Sequence, residues 1–243
     1  MKESAKVFDE IVEERRSVRH FDTNNFDGED AVKRSIERAI LSPNSSNMQL
    51  WQFFRIKSDE AKKTIASFCF NQPAASTASE LLIVVGRRDR WKEHAASNYK
   101  FVTKKDNSDK NVAGVGTPGY YYGTIIPSLY KPGIPLISDF FKKIYSWYKG
   151  LKAPFYREVT SNDVRIIVHK SAALAAQTFM LSIKAEGFDT CPMEGMDSKR
   201  IKQYLNLPSD ADISMVIGIG KGLPKGIYGP RYRFPQDGVV IEK

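Results

Sequence analysis

The stretch Glu14–Phe21, with the sequence ERRSVRHF, places three arginines and one serine within five positions. Immediately before it, the apolar residues between Val7 and Val12 recur with the spacing of one helix face, which predicts a helix from about Ser4 to Arg16. Cations at the end of such a helix interact favourably with its dipole, and charge runs are usually solvated faces. Alternatively, the guanidinium groups and the Ser17 hydroxyl bind a phosphate, which arginine recognises in a bidentate manner. On this stretch alone the first interpretation is favoured.

The composition fits a folded protein with a substantial core. The chain has 243 residues, of which 42% are hydrophobic, so one domain is expected. No run of 18 apolar residues occurs and the first residues lack the apolar core of a signal peptide. We therefore expect no membrane span, a cytoplasmic location and, for Cys69 and Cys191, two reduced thiols.

The net charge of +9 favours an anionic partner, which is a nucleic acid, a membrane surface or a small molecule. No zinc-finger, RNP or helix-turn-helix pattern accompanies this charge, which argues against nucleic acid. The three histidines and two cysteines show no metal-ligand spacing, so no metal site is expected. Neither G-x-G-x-x-G nor a P-loop is present, and any nucleotide must be bound in another way.

A second polar stretch follows a predicted helix from Gly28 to Leu41. Residues Ser42–Trp51, with the sequence SPNSSNMQLW, are rich in small polar side chains that favour turns. A strand is predicted for Trp51–Ile56 and a helix for Asp59–Phe68. The polar stretch is either an ordinary connection or a loop that offers hydroxyl, amide and backbone groups to a ligand.

The second half of the chain carries two further motifs. A strongly apolar helix from Asp163 to about Gly187 is predicted to lie in the core, in a dimer interface or in both. The motif that follows it, Gly187–Gly195, reads GFDTCPMEG. After a predicted strand at Ile213–Ile219, the stretch Gly229–Pro235 reads GPRYRFP and supplies two more arginines.

Taken in order, these segments resemble the nitroreductase family of FMN flavoproteins. The family's P-S-S-x-N-x-Q-P-W segment is matched here with departures at Asn44 and Leu50, and neither departure removes a polar group. Asn71-Gln72-Pro73 resembles the next flavin contact. The G-x-D-x-x-P-x-E-G segment is matched at all its fixed positions and is the most specific of the motifs.

The resemblance implies a fold, a cofactor and an assembly. The fold would be α+β, with a mainly antiparallel central sheet flanked by helices. The assembly would be an intertwined homodimer with shared FMN sites, in which the loop from Pro43 to Asn47 reaches the partner's flavin. FMN binding is thereby assigned to Arg15, Arg16, Ser17, Arg19, Pro43, Asn44, Ser45, Asn47, Asn71, Gln72, Pro192, Met193, Glu194, Gly195, Arg231 and Arg233.

Specific roles follow from the resemblance for some of these residues. The phosphate would lie between the pairs Arg16 and Ser17, and Arg231 and Arg233. The side chain of Asn71, with Gln72, would face the pyrimidine edge of the flavin, and the backbone of Glu194 and Gly195 would approach N5. Arg19 is the candidate for the positive charge near flavin N1 and O2. No catalytic side chain is assigned.

Residues 87–156 do not resemble the family's common core. They are rich in aromatic side chains and are repeatedly broken by glycine and proline, which predicts a mobile cover over the flavin within a single domain spanning residues 1–243. Tyr120, Tyr121 and Tyr122 are the candidate substrate residues, and if extended they alternate faces. The alternative is that the aromatic side chains of this segment only pack into the core or the dimer interface. An apolar stripe from Ile137 to Tyr148 predicts a packed helix, with membrane-surface binding as the alternative.

The predicted function is an FMN-dependent oxidoreductase. NAD(P)H would deliver hydride to the flavin, and a nitroaromatic, quinone, enone or similar acceptor would then be reduced by ping-pong exchange. Two alternatives stay open at this point. One is a flavin-binding or storage protein without significant turnover, and the other is a basic nucleic-acid-binding protein.

Overall fold

An antiparallel sheet lies at the centre of the molecule, which is described by a computed structural model over residues 1–104, 115–131, 133–134 and 136–243. Its strands are β1 (Phe21–Asp22), β2 (Trp51–Ile56), β3 (Glu80–Arg87), β4 (Asp189–Met193) and β5 (Ala211–Gly222). The strand order is β1-β5-β3-β2, and β4 also pairs with β5. Because every ladder between these strands is antiparallel and helices flank the sheet, the α+β prediction is confirmed.

Helices surround this sheet and supply the connections. In chain order they are α1 (Glu3–Glu14), α2 (Glu29–Ala39), α3 (Asp59–Phe68), α4 (Pro73–Ser76), α5 (Trp91–Lys104), α6 (Pro118–Tyr120), α7 (Ile126–Tyr130), α8 (Ile137–Gly150), α9 (Ser161–Ala185) and α10 (Ser198–Tyr204). A π-helical segment, Tyr121–Ile125, joins α6 to α7. Within the aromatic segment 87–156, residues 105–114, 132 and 135 lie outside the described part of the chain.

The central strand β3 is buried on both faces, and its side chains alternate between two cores. Leu81, Ile83 and Val85 pack with residues of α3, α4 and α10. Leu82 and Val84 pack on the other face with residues of α2 and α9. A third, smaller cluster joins the start of α9 to the residues around α5 and α7.

Helix α9 is the core helix of the second of these clusters. Its capping box is formed by Thr160 and Asp163, and Gly187, with φ of +86°, follows its end. By length and composition alone α9 is able to cross a membrane, but half of its apolar window is buried inside the protein. Its buried apolar side chains, such as Phe179 and Ile183, belong to the core of this chain, whereas Leu174 is exposed.

Helix α1 differs from its prediction at both ends and on its apolar face. It begins at Glu3, with Lys2 rather than Ser4 in the capping position, and it ends at Glu14. Arg15 and Arg16 consequently lie in extended chain after the helix rather than in its last turn. None of its residues is buried, and Phe8 is more than half exposed.

Helix α8 also differs from the expected packed helix, because its apolar stripe faces outward. Ile137, Phe140 and Phe141 are each more than half exposed. The face turned toward the protein is polar, and Ser146 is its buried residue. Periodicity identified the stripe correctly, but polar contacts rather than apolar burial decide which face lies inward.

Candidate functional site

The arginine segment after α1 lies between β4 and the C-terminal part of the chain. Ser17 forms an isolated parallel bridge with Thr190 of β4. The amide of Val18 donates to the carbonyl of Thr190 at 3.0 Å, and the amide of Arg19 donates to that of Gly226 at 2.9 Å. These bonds bring together two segments that are about 170 to 210 residues apart in the sequence.

The side chains of the arginines complete this connection. Arg16 donates to the carbonyl of Gly229 at 2.8 Å. Arg231 donates at 2.6–3.2 Å to carbonyl groups at the end of α1, which are those of Val12, Glu13 and Arg15. The guanidinium of Arg233 donates to the carbonyl of Tyr232, its own neighbour, at 2.7 Å. Arg231 therefore satisfies backbone groups that the helix end leaves without partners, whereas Arg233 makes no such contact among the described residues.

The electrostatics of this arginine cluster point to an anion. Burial lowers the pKa of Arg15, and the positive charges of Arg231, Arg233 and Arg16 lower it further. In the described part of the chain, no carboxylate forms an ion pair with these four arginines or with Arg19. Like charges that converge without a counter-ion disfavour the folded state, and a phosphate with several acceptor oxygens removes that cost. The donor set thus fits the phosphate of FMN.

Arg19 lies beside a residue that the sequence analysis did not single out. Its guanidinium carbon is 4.8 Å from the ring centroid of Tyr228. The Tyr228 hydroxyl in turn lies 3.3 Å from His20 Nε2. The aromatic contact holds the positive charge near β4 by a cation–π interaction. A lone tyrosine in a C-terminal segment gives no sequence signal for this role.

The motif Gly187–Gly195 ends just after β4, and its last residue contacts Gln72. Pro192 and Met193 belong to the strand, and Glu194 and Gly195 are exposed just beyond it. The amide nitrogen of the Gln72 side chain donates to the Gly195 carbonyl at 2.7 Å. Asn71, which is exposed, adopts a positive φ of 50°, a conformation that asparagine tolerates well.

Through β4, the Gln72–Gly195 contact is continuous with the arginine cluster. Thr190, which bridges to Ser17, and Gly195 stand at the two ends of the same short segment. The Thr190 hydroxyl is buried without a hydrogen-bond partner in the described residues. Four of the predicted site segments therefore meet in one chain: the N-terminal arginines, Asn71-Gln72, the segment Pro192–Gly195 and the C-terminal arginines.

The loop from Pro43 to Asn47 is held in a different place. The Ser45 amide donates to the Ser171 hydroxyl of α9 at 3.3 Å, and the Asn47 carbonyl accepts from Asn98 of α5 at 2.8 Å. Asn44 accepts from the amide of Gln49 at 2.8 Å, and Pro43 is exposed. Over the described ranges, no hydrogen bond joins this loop to the arginine cluster.

The tyrosines of the aromatic segment contact this loop. The Tyr121 hydroxyl is 2.5 Å from that of Ser46, and the Tyr122 hydroxyl donates to the Ser46 carbonyl at 3.0 Å. The run is helical rather than extended, so strict alternation of faces does not apply. Tyr120 and Tyr122 line a cavity of about 740 Å³, whereas Tyr121 lines another of about 510 Å³ together with Ser45 and Ser46.

No group of three or more histidine, cysteine, aspartate and glutamate side chains is placed to hold a metal ion in the described part of the chain. Both cysteines are buried and unpaired. Burial raises the pKa of Cys69 to about 11, so its thiol stays protonated at neutral pH.

The sheet and its flanking helices define an α+β protein in which an arginine cluster is built from both ends of the chain. The family model described as the nitroreductase family matches residues 12–221, and the chain belongs to that family of oxidoreductases. The predictions of the family and of an oxidoreductase are thereby confirmed.

Similar proteins agree with this membership. The chain is 29% identical to protein DrgA of Synechocystis sp. over 88% of this chain and 83% of that protein. It is 23% identical to the oxygen-insensitive NADPH nitroreductase of Helicobacter pylori, over 87% of this chain and 86% of that protein. A solved nitroreductase from Exiguobacterium sibiricum, described in complex with FMN, superposes with a TM-score of 0.68 at 26% identity and covers 97% of both chains.

Proposed function

We propose that the protein is an FMN-dependent oxidoreductase that takes hydride from NAD(P)H and reduces a nitroaromatic, quinone, enone or similar acceptor by a ping-pong mechanism. The observation that carries this proposal is the arginine cluster, which joins both ends of the chain and holds no carboxylate among the described residues. The FMN named for the Exiguobacterium protein and the NADPH named for the Helicobacter enzyme support the two cofactors.

In this proposal, the chain's own residues bind and orient the cofactor. Arg16, Ser17, Arg231 and Arg233 hold its phosphate, and Arg15 adds positive charge behind them. Bound FMN would supply the centre that accepts hydride and passes electrons on.

The ring is held at its edges. Asn71 and Gln72 face its pyrimidine edge, and Arg19 contributes charge at the same side. The exposed backbone at Glu194 and Gly195, at the end of a rigid strand, approaches N5. Glycine at this position lets the backbone come close to a planar ring.

The proposed assembly is a homodimer in which Pro43, Asn44, Ser45 and Asn47 contribute to the partner's site. The separation of this loop from the arginine cluster supports that arrangement, because one chain alone does not bring all the motifs together. Most apolar residues of α9 are used in the core, although Ile166 and Leu174 are exposed. Further apolar residues that argue for an interface are the exposed side chains of α1 and of the C-terminal residues, such as Tyr232 and Phe234.

Residues 87–156 are proposed to cover the flavin within a single domain of residues 1–243, in a cytoplasmic protein. The contacts of Tyr121 and Tyr122 with Ser46 support a cover, because they tie the aromatic segment directly to the loop assigned to the flavin. The π-helical geometry of Tyr121–Ile125 is a further indication, since such segments are frequent at functional sites. The alternative is a purely structural segment, and Tyr121 and Tyr122 do pack against the third core cluster.

Single alanine variants of Tyr120, Tyr121 and Tyr122 separate these alternatives. A cover requires that at least one variant changes the preference among acceptors while FMN content and melting temperature stay near wild type. If each variant either unfolds or keeps the wild-type preference, the segment is structural.

The test of the proposed activity begins with the absorbance spectrum of the purified protein. FMN released by heat would be identified by chromatography, and steady-state NAD(P)H oxidation would be measured with menadione and nitrofurazone as acceptors. Parallel double-reciprocal lines support ping-pong exchange. Bound flavin without NAD(P)H consumption would identify a flavin-binding protein instead. Colourless protein with a steep salt dependence of nucleic-acid affinity would favour the third alternative.

A further inference from the structure

A cavity of about 510 Å³ lies between the polar loop and the aromatic segment. Its volume falls within the range of small-molecule sites, which are mostly apolar with a few polar anchors. The walls follow that composition, with apolar or aromatic side chains from Ile125, Ile126, Leu129, Tyr145, Phe155 and Val159. Ser45 and Ser46 form another part of the wall, so the cavity adjoins the loop assigned to the flavin.

Among the described lining residues, Lys142 is the one that carries a charge. It is half-buried, and its ammonium group donates to the carbonyl of Leu129 at 3.1 Å. An ammonium group has three donors, so two remain after this bond. No carboxylate pairs with Lys142 in the part of the chain that the structure describes, so its charge has no counter-ion there.

Lys142 lies on the polar face of α8, which is the face turned toward the protein. Asp139, one turn earlier, accepts bonds at 3.0–3.1 Å from the amide and hydroxyl of Ser161. Ser146, one turn later, donates to the carbonyl of Tyr156 at 2.6 Å. Contacts on both sides thus hold Lys142 toward the cavity, whereas the adjacent Lys143 is exposed.

We propose that this cavity binds an amphipathic electron acceptor, with its apolar or aromatic body along the cavity and its carboxylate on Lys142. The inference rests on the proposed function, which it deepens by naming the class of acceptor. A charge-assisted hydrogen bond between ammonium and carboxylate is about twice as strong as a neutral one. The reducible end would then point toward Ser45 and Ser46.

Binding is tested first, with the flavin-loaded protein and without NAD(P)H. Calorimetry compares 2-naphthoate with 2-naphthamide, which has nearly the same shape but no charge. We expect wild type to bind the carboxylate at least about tenfold more tightly, as expected for one charge-assisted bond. Lys142→Gln should lose this preference, Lys142→Arg should keep most of it, and the matched control Lys143→Gln should keep it fully.

A second variant protects the test against a folding failure of Lys142→Gln. Ser128 lines the same cavity, and Ser128→Asp would introduce a carboxylate while leaving Lys142 in place. This variant should also lose the preference for naphthoate. Equal binding of the two probes to wild type, or a preference that survives both cavity variants, would overturn the proposal.

Turnover measurements then test the carboxylate site and the oxidoreductase activity independently of each other. The ratio of kcat/KM for 4-nitrobenzoate over 4-nitrobenzamide should exceed about ten in wild type and approach one in Lys142→Gln through a higher KM for the carboxylate. Equal turnover of both acceptors by wild type would reject the carboxylate site and leave the oxidoreductase function standing. No turnover of either, with the binding preference intact, would reject the activity and leave the site.

Discussion

Replacing Arg233 by alanine should weaken FMN binding and leave riboflavin binding unchanged. The proposed partner of Arg233 is the phosphate, which FMN has and riboflavin lacks. The described hydrogen bond of its guanidinium goes to the carbonyl of the adjacent Tyr232, and the side chain is exposed. Removing it therefore disturbs little of the fold, in contrast to Arg231, which also binds carbonyl groups at the end of α1.

The magnitude follows from the kind of bond that is lost. A hydrogen bond to a charged group contributes about 1.5–3 kcal/mol, and 1.4 kcal/mol is a factor of ten in affinity. Because Arg233 is exposed, the lower end of this range applies, and we expect a Kd for FMN about tenfold higher. The loss of affinity is expected to be slightly smaller than the lost bond alone would give. The charge of Arg233 is one of those that lower the pKa of Arg15, so removing it also removes a repulsion between like charges.

Titration of the apoprotein with each flavin, followed by flavin fluorescence, measures both affinities. Lys33→Ala is the matched control, since it also removes one exposed positive charge but lies on α2, which packs on the other face of the sheet. Its Kd for FMN should stay within about twofold of wild type.

Two outcomes would refute this reasoning. An unchanged Kd for FMN at moderate salt would show that Arg233 does not touch the phosphate. An equal loss of affinity for riboflavin would show that the variant acts through the ring site or the fold.

Three further predictions concern stability and assembly. Gly218→Ala should lower the free energy of unfolding by about 1–3 kcal/mol in denaturant titrations, because a Cβ there would overlap the carbonyl oxygen of Ala74, whereas Gly238→Ala, with open space, should be neutral. Hydrogen bonds from two half-exposed arginines of α2 lower the pKa of Glu186 from 4.5 to about 2, so its stabilisation, about 1 kcal/mol after screening, is complete above pH 4.5 and is lost as the pH falls toward 2. Unfolding curves of wild type and Glu186→Gln should therefore converge over that window, and a gap that is constant with pH would contradict this. Sedimentation at low concentration should reveal no stable, flavin-loaded monomer, and finding one would argue against the shared site.

Local patterns in the sequence predict the central elements closely. The strand at Trp51–Ile56 and the helix at Asp59–Phe68 have the predicted bounds. The start of the helix is marked by Ser58, whose side chain caps it by accepting from the Ala61 amide. The two arginine segments also lie together, as their shared phosphate role requires, and the contacts between them are hydrogen bonds from the side chains of Arg16 and Arg231 to backbone carbonyl groups.

The outward stripe of α8 was not predictable in the same way. Periodicity shows that one face is apolar and the other polar, but it does not show which face finds partners. Asp139 accepts from Ser161 at the start of α9, and Ser146 donates to the carbonyl of Tyr156 in the preceding loop. Those partners lie 10 to 22 residues away in the sequence, so the residues of α8 alone do not predict them.

The loop from Pro43 to Asn47 lies apart from the arginine cluster of the same chain, and in the proposed dimer this links FMN binding to dimer formation. If the loop of one copy completes the site of the other, each bound FMN contacts both copies and is absent from the separated chains. A ligand that binds the assembled state stabilises that state, by an amount that grows with ligand concentration. The exposed apolar faces of α1 and of the C-terminal residues then need not bury enough area by themselves to hold the dimer. Arg231 binds the end of α1, and Arg233 is the residue proposed to bind the phosphate. If both proposals hold, the C-terminal segment connects the dimer interface to the cofactor, and a change in either is expected to reach the other through it.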